Sequence, residues 1–390
     1  VSAPARAAAV RPVRVALVGL GWAGRSIWLP RLREHPAYTV TAVADPDPAA
    51  RAAAVAEHAG ARTLAGVAQL GPGVADLAVV AVPNHLHAPV AEELLGRGIP
   101  VFVEKPVCLT PAEADRLAAA ERAGGAVLLA GSAARYRADV RALHALAGDL
   151  GTVRHIEAAW VRASGVPDAG GWFTDQRRAG GGALLDLGWH LLDSIGPLLG
   201  GAVFEQVAGT VSDDFVSSGS RRAAWRRDGA LGTGNATGNA SGSATRNATG
   251  DVEDTARGFL VTGDGVSVSL RASWASHEPR DVTLIRVEGS AGTATLRCTF
   301  GFSPNRQERS ELTRTRDGET RPVAVPDEPV GAEYLRQLDA LPALLADPAV
   351  RGRAVADARR AIGVIEGLYT SARTSRDRRA APGPAVPAEV

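Results

Sequence analysis

Apolar and polar positions along the first 130 or so residues fall into short blocks of two alternating kinds. VRVALV at 13–18 is a β-rich apolar run, and the GLGWAGRSIWLPRL that follows turns to helical spacing after its glycines, so the chain opens as strand, tight turn and helix. The pattern goes on to predict a strand at 38–44, a helix from about 47 to 58, a strand at 76–82, a helix at 87–97, a strand at 100–103, a helix at 110–123 and a strand at 126–130. Strands alternating with helices through short connections imply a parallel sheet wrapped on both faces.

The rhythm changes near residue 134. A helix at 137–148 leads into a long strand at 152–161, an irregular stretch, an apolar helix at 182–199, and then strands near 203–212, 256–263, 265–275, 281–289 and 292–298. Strands that run into strands point to a mostly antiparallel sheet and a second domain of α+β type. Helical patterns at 331–346 and 351–373 are expected to pack back on the body. The expected division is therefore an α/β domain at 13–133 and an α+β domain at 134–373. Between 217 and 250 the sequence collapses to Ser, Gly, Ala, Thr and Asn, which cannot bury enough apolar surface to offset its ordering entropy, so a disordered insertion is expected there. The end from 374 to 390 is expected to be loose.

Composition narrows the function. The 390 residues are 45% hydrophobic and 22% charged, and 43 basic against 42 acidic side chains leave a formal charge of +1. That balance gives no pull toward phosphate backbones or anionic membranes, so neither nucleic acid nor a membrane is an expected partner. No apolar run approaches the roughly 18 residues of a spanning helix, and residues 1–12 lack the zones of a signal peptide, so a soluble cytoplasmic protein is expected. Cys108 and Cys298 are read as free thiols. One lysine, Lys105, stands among the 43 basic residues, and lysine differs from arginine where a site needs a compact ammonium with an adjustable pKa.

Gly19, Gly21 and Gly24 spell G-x-G-x-x-G directly after the first strand, with Trp22 and Ala23 between the last two. The first glycine permits the turn, the second lets a pyrophosphate approach, the third allows close packing, and the amides of the helix start hold the anion. Asp45 ends the next strand 21 residues beyond Gly24, where a carboxylate accepts hydrogen bonds from an adenine ribose. It favours NAD over NADP by repelling a 2'-phosphate, although Arg51 nearby leaves NADP open.

The helix at 182–199 is apolar nearly all round except for Asp186, His190 and Asp193, which at 100° per residue share an arc of about 60°. Such a stripe faces polar partners or a wet cleft. Glu104, Lys105 and Pro106 follow a strand of the parallel sheet, and open α/β folds bind ligands beyond those strand ends. An ammonium and a histidine-carboxylate pair are the groups needed to move a proton off an alcohol as its hydride leaves.

Taken together, VGLGWAG, VAVPNHLH at 80–87, EKP at 104–106, GGGALLDLGWHLLD at 180–193 and EDTARGFLVTGDG at 253–265 resemble the glucose-fructose oxidoreductase, inositol dehydrogenase and MocA (Gfo/Idh/MocA) family. The resemblance implies a Rossmann domain, a second domain with a large open sheet that often mediates dimers or tetramers, and hydride transfer between NAD(P) and a secondary alcohol or ketone of a sugar, cyclitol or other polyol. It implies catalytic roles for Lys105, Asp186 and His190, and places Pro83, Asn84, His87, Glu104 and Lys105 toward the nicotinamide. Some sugar ketoreductases of the family carry tyrosine where this chain has His190, which suggests the polyol-dehydrogenase branch. Trp172, Arg177, Arg178 and Asp193 are candidates for substrate contact. Two other activities fit the same motifs, an NAD-dependent glycosidase and a non-catalytic dinucleotide-binding regulator.

Overall fold

The computed structural model describes residues 11–57, 60–71, 73–167, 171–223 and 250–380. They form two compact units: the chain up to Ala133 together with Tyr334–Ala358, and Ala134–Glu333 together with the chain from Arg359 onward. The segment 334–358, expected with the second domain, thus groups with the first. Hydrogen bonds tie it there: Gln337 donates through Nε2 to the Ala130 carbonyl at 2.9 Å, and the Gly352 backbone amide donates to the Glu121 carboxylate at 2.9 Å.

The first unit holds a six-stranded sheet of β1 (Val13–Val18), β2 (Tyr38–Ala44), β3 (Arg62–Leu64), β4 (Leu77–Val80), β5 (Val101–Val103) and β6 (Leu128–Ala130). The strands run parallel in the order β3-β2-β1-β4-β5-β6. That is the doubly wound order of a Rossmann fold, with its reversal point between β1 and β4. Helices cover both faces, so the central strands are apolar throughout, and Val15–Val18, Leu77–Val80 and Val101–Val103 are all buried. An Arg14–Asp76 pair, bidentate at 2.7 and 3.1 Å, fastens the start of β1 to the start of β4.

The second unit is built on an eight-stranded sheet of β7 (Val153–Val161), β8 (Phe204–Ser212), β9 (Thr255–Thr262), β10 (Ser267–Ser273), β11 (Val282–Gly289), β12 (Gly292–Cys298), β13 (Glu311–Arg316) and β14 (Glu319–Val323). The order is β14-β13-β12-β11-β7-β10-β9-β8, antiparallel at every pair except β7–β10. One face alternates buried residues such as Ile156, Ala158, Trp160, Val268, Leu270 and Ile285. The other carries Arg257, Arg271 and Arg297 with Phe259, which is 51% exposed.

Two expectations about order need correction. Within the expected insertion 217–250, residues 217–223 are held: the Ala223 amide donates to the Val166 carbonyl at 2.8 Å, and Ser220 closes back on Phe215 at 3.0 Å. The side chain of Asp254 caps this region by accepting from the Phe215 and Val216 amides at 2.7 and 3.0 Å. Residues 224–249 lie outside the described residues. The end expected to be loose from 374 continues instead as the helix Arg353–Ala380, and only 381–390 fall outside the described residues. No described helix is long and apolar enough to cross a membrane.

Candidate active site

In the first unit, β1 ends in a turn that only glycine fits. Gly19 has φ +92°, and a Cβ there would lie 2.6 Å from the Ala81 carbonyl oxygen at the end of β4. A Cβ on Gly24 would collide with the Gly19 carbonyl, so the helix packs tightly on the turn. Gly21, between them, has open space where its Cβ would stand, the approach a pyrophosphate needs. The helix begins with a π-helical turn at Ala23–Trp28, and Trp22 at its start makes no side-chain cap. Trp22 is 55% exposed beside them.

Asp45 closes the other side. Its carboxylate accepts from the Leu20 amide at 2.8 Å and the Asp47 amide at 2.9 Å, which fixes it at the end of β2 next to the glycine turn. Arg51 does not pair with that carboxylate and donates to the Asp45 and Pro46 carbonyls at 2.6 and 3.0 Å. These residues fit a dinucleotide: an anion-binding turn, room above Gly21, and a fixed acceptor for a ribose.

At the ends of β4 and β5, Asn84 is buried and Lys105 half-buried. Glu104 accepts from Trp28 Nε1 at 2.7 Å and from the Lys105 amide at 3.0 Å, which anchors the backbone that carries Lys105. Burial raises the Glu104 carboxyl pKa against the opposing charge of Lys105. His87 departs from its expected role as a cofactor contact. It is 1% exposed, with Nδ1 2.6 Å from the Pro106 carbonyl and Nε2 2.8 Å from the Val82 carbonyl. Both nitrogens face backbone carbonyls, one of which the ring can serve as donor at a time, so the buried His87 edge is closed off between the two strand-end segments. Burial pushes its pKa down to about 4, and a neutral ring has one N–H to give to the two carbonyls.

In the second unit the apolar helix is not one regular element. It runs as a π-helical turn at Leu184–Gly188, an α-helix at Trp189–Ile195 and a 3-10 turn at Gly196–Leu199. From Gly181 to Ile195 every residue is buried except Asp186 and His190. Wide turns of this kind often mark functional sites. Trp274 donates through Nε1 to Asp186 at 2.9 Å, and the Trp160 ring lies 5.6 Å from the His190 ring. The third member of the expected stripe is set apart: Asp193 is buried and paired with Arg135 at 2.9 Å, which makes it structural.

The glycines before this helix make room for its anchor. Gly182 and Leu184 donate their amides to the buried Glu253 carboxylate, the nearest oxygens at 3.0 and 2.9 Å, and Tyr369 donates its hydroxyl at 2.9 Å. A Cβ on Gly181 would strike the Tyr369 hydroxyl, and one on Gly182 the Glu253 carbonyl. Among the substrate candidates, Trp172 packs edge-on against Phe173 at 5.0 Å, which in turn lies 6.0 Å from Trp274. Arg177 and Arg178 are exposed on the short helix Gln176–Ala179. Trp160, Arg162, Trp274 and Glu253 were not singled out from sequence; the signal available for the first two was the WVR at the end of a long strand. No cluster of metal-binding side chains occurs among the described residues.

A Rossmann sheet with a glycine-lined phosphate turn, joined in one chain to a unit whose buried helix bares a carboxylate and an imidazole, defines a dinucleotide-dependent oxidoreductase. Residues 13–132 match the oxidoreductase family with NAD-binding Rossmann fold, and residues 139–295 match the GFO/IDH/MocA C-terminal domain. The chain belongs to the Gfo/Idh/MocA family and is an NAD(P)-dependent enzyme of hydride transfer on sugar-like alcohols and ketones. It is 59% identical over 95% of its length and 99% of the other's to a protein of Amycolatopsis mediterranei (strain S699) that carries the provisional name UDP-kanosamine synthase oxidoreductase subunit. It is 35% identical to a dTDP-3,4-didehydro-2,6-dideoxy-alpha-D-glucose 3-reductase of Streptomyces antibioticus, over 42% of this chain and 50% of that one. The crystal structure of GenD2 from gentamicin A biosynthesis, in complex with NAD, superposes with a TM-score of 0.71 at 26% identity, covering 94% of this chain and 96% of that one. The two sequence relatives are named as an oxidoreductase and a reductase; neither name points to a glycosidase or a regulator.

Proposed function

We propose that this enzyme interconverts a secondary hydroxyl and a ketone at carbon 3 of a nucleotide-activated hexose, with His190 as the group that takes the hydroxyl proton. Asp186 orients the imidazole and stabilises its charged form, while Lys105 hydrogen-bonds the reacting oxygen and offsets its developing negative charge. The glycine turn from Gly19 to Gly24, the following amides and Asp45 hold the dinucleotide, with Pro83, Asn84, Glu104 and Lys105 toward its nicotinamide end; bound there, the nicotinamide supplies the hydride acceptor or donor. The carrying observation is a buried helix that bares Asp186 and His190 alone, in a chain 59% identical to one named for a UDP-sugar synthase. That likeness outweighs the polyol-dehydrogenase branch suggested by His190. Trp172 is assigned to packing on the sugar and Arg177 and Arg178 to its anionic part. The enzyme is proposed to act in the cytoplasm, consistent with two buried free thiols, Cys108 and Cys298. It is proposed to act as a homodimer or homotetramer formed through the sheet face around Phe259, which the described residues leave exposed.

The test is to incubate the enzyme with NAD or NADP and UDP-glucose, dTDP-glucose, glucose or myo-inositol, following reduced cofactor by absorbance. Turnover of the nucleotide sugars far above the free polyols is expected. Turnover of myo-inositol alone would reinstate the polyol branch, and none with any of the four would remove the assignment.

A further inference from the structure

The parallel pairing of β10 with β7 sets Ala272 beside Trp160, and the Arg162 amide extends that ladder by donating to the Ser273 carbonyl at 2.9 Å. Side chains alternate along a strand, so the next pair outward on the same face is Arg162 beside Trp274. Trp274 bonds Asp186, and Trp160 packs on His190. The two-residue step along β7, about 6.6 Å, thus runs alongside the one-turn step of the helix from His190 to Asp186. The Arg162 guanidinium lies 5.1 Å over the Trp160 ring.

We propose that Arg162 is a positioning residue that sets the charge balance of the Asp186–His190 pair, holding Asp186 as a carboxylate and opposing a second positive charge on His190. This rests on the assignment of His190 as the proton-accepting group. A lone carboxylate one turn away would keep the imidazole protonated; the guanidinium offsets that pull and leaves the ring free to accept a proton near neutral pH. Asp186 and Asp281 are the two carboxylates that favour the charged Arg162 against the cost of its burial. Asp281 also accepts from the Ala163 amide at 2.9 Å. The other ionisable groups against this helix have partners of their own: Glu253 accepts from the Gly182 and Leu184 amides and the Tyr369 hydroxyl, Asp193 pairs with Arg135, whose charge also acts on Tyr136, and His144 bonds the Ser194 carbonyl at 2.8 Å. Lys105 adds a further positive charge on the reading above, and it is common to every variant compared.

The experiment is a histidine-selective NMR titration of the full chain, with the His190 signal assigned by its loss in His190→Asn. In Arg162→Gln the His190 ring should titrate about one pH unit higher than in the wild type, and Arg162→Lys should stay near the wild-type value. Arg162→Met, which keeps the stem packed on Trp160, replaces the Gln variant if that one does not fold. A His190 titration that is the same with and without the Arg162 charge would overturn the proposal. Turnover of His190→Asn is read separately: if undiminished, the base assignment fails whatever the titration gives.

Discussion

Replacing Glu253 with alanine strikes the anchor of the helix that bears Asp186 and His190. The carboxylate is 6% exposed and receives the Gly182 amide, the Leu184 amide and the Tyr369 hydroxyl. Each donor left unsatisfied costs about 1–3 kcal/mol. Three donors set a floor of about 3 kcal/mol, and release of the buried carboxylate from its own desolvation returns part of it. The expected net loss is about 2–4 kcal/mol, a large share of a typical stability of about 5–15 kcal/mol. Urea unfolding followed by tryptophan fluorescence, to which Trp160, Trp172, Trp189 and Trp274 of the second unit contribute, reads this as a midpoint lowered by about 1 M. Glu253→Gln, which keeps one acceptor oxygen, should fall between, and Tyr369→Phe should cost about 1 kcal/mol. A Glu253→Ala midpoint within about 0.2 M of the wild type would refute the anchoring role.

Asp45→Ser removes the carboxylate that disfavours a 2'-phosphate and leaves Arg51 in place, so kcat/KM with NADP relative to NAD should rise by about 10-fold or more; an unchanged ratio would put the ribose elsewhere. Gly24→Ala should destabilise the first unit by several kcal/mol, since its Cβ meets backbone, and thermal melting would show it. His87 has a folded pKa of about 4 against an ordinary 6.5, so the unfolded chain binds more protons between those values. Its stability contribution is complete above about pH 6.5 and is lost as pH falls toward 4; His87→Gln should flatten that part of the stability profile, and an unaltered slope would contradict the buried neutral ring.

The parallel sheet was legible because its central strands are apolar on both faces and flanked by turn residues, so Val13–Val18 and Leu77–Val80 stand out from either neighbour. β3 escaped notice because it is three residues long with two of them exposed. β13 and β14 escaped because ELTRTR puts charge on both faces and ETRPV is short, charged and carries a proline, as an outer pair of the sheet allows. Asp186 and His190 could be read as polar residues in an apolar helix, but the π-helical turn is invisible to a 100° period, and so is the pairing that takes Asp193 away to Arg135. His87 shows the reverse case: its place in a strand-end motif suggested ligand contact, whereas its ring is spent on two backbone carbonyls. Arg162 and Trp274 lie far apart in sequence and meet only through the β7–β10 pairing, which no local pattern encodes.

We propose above that Lys105 and His190, carried by different units of the chain, serve one substrate beside one dinucleotide. The most direct measurement of this is single-turnover formation of reduced cofactor from a nucleotide hexose by Lys105→Ala, His190→Ala and the double variant, with NAD affinity determined alongside. Each single variant should lose about 10²- to 10⁴-fold in rate with NAD affinity nearly intact, and the double variant should lose less than the product of the two. Wild-type rates in either single variant would contradict the claim, as would losses that multiply fully.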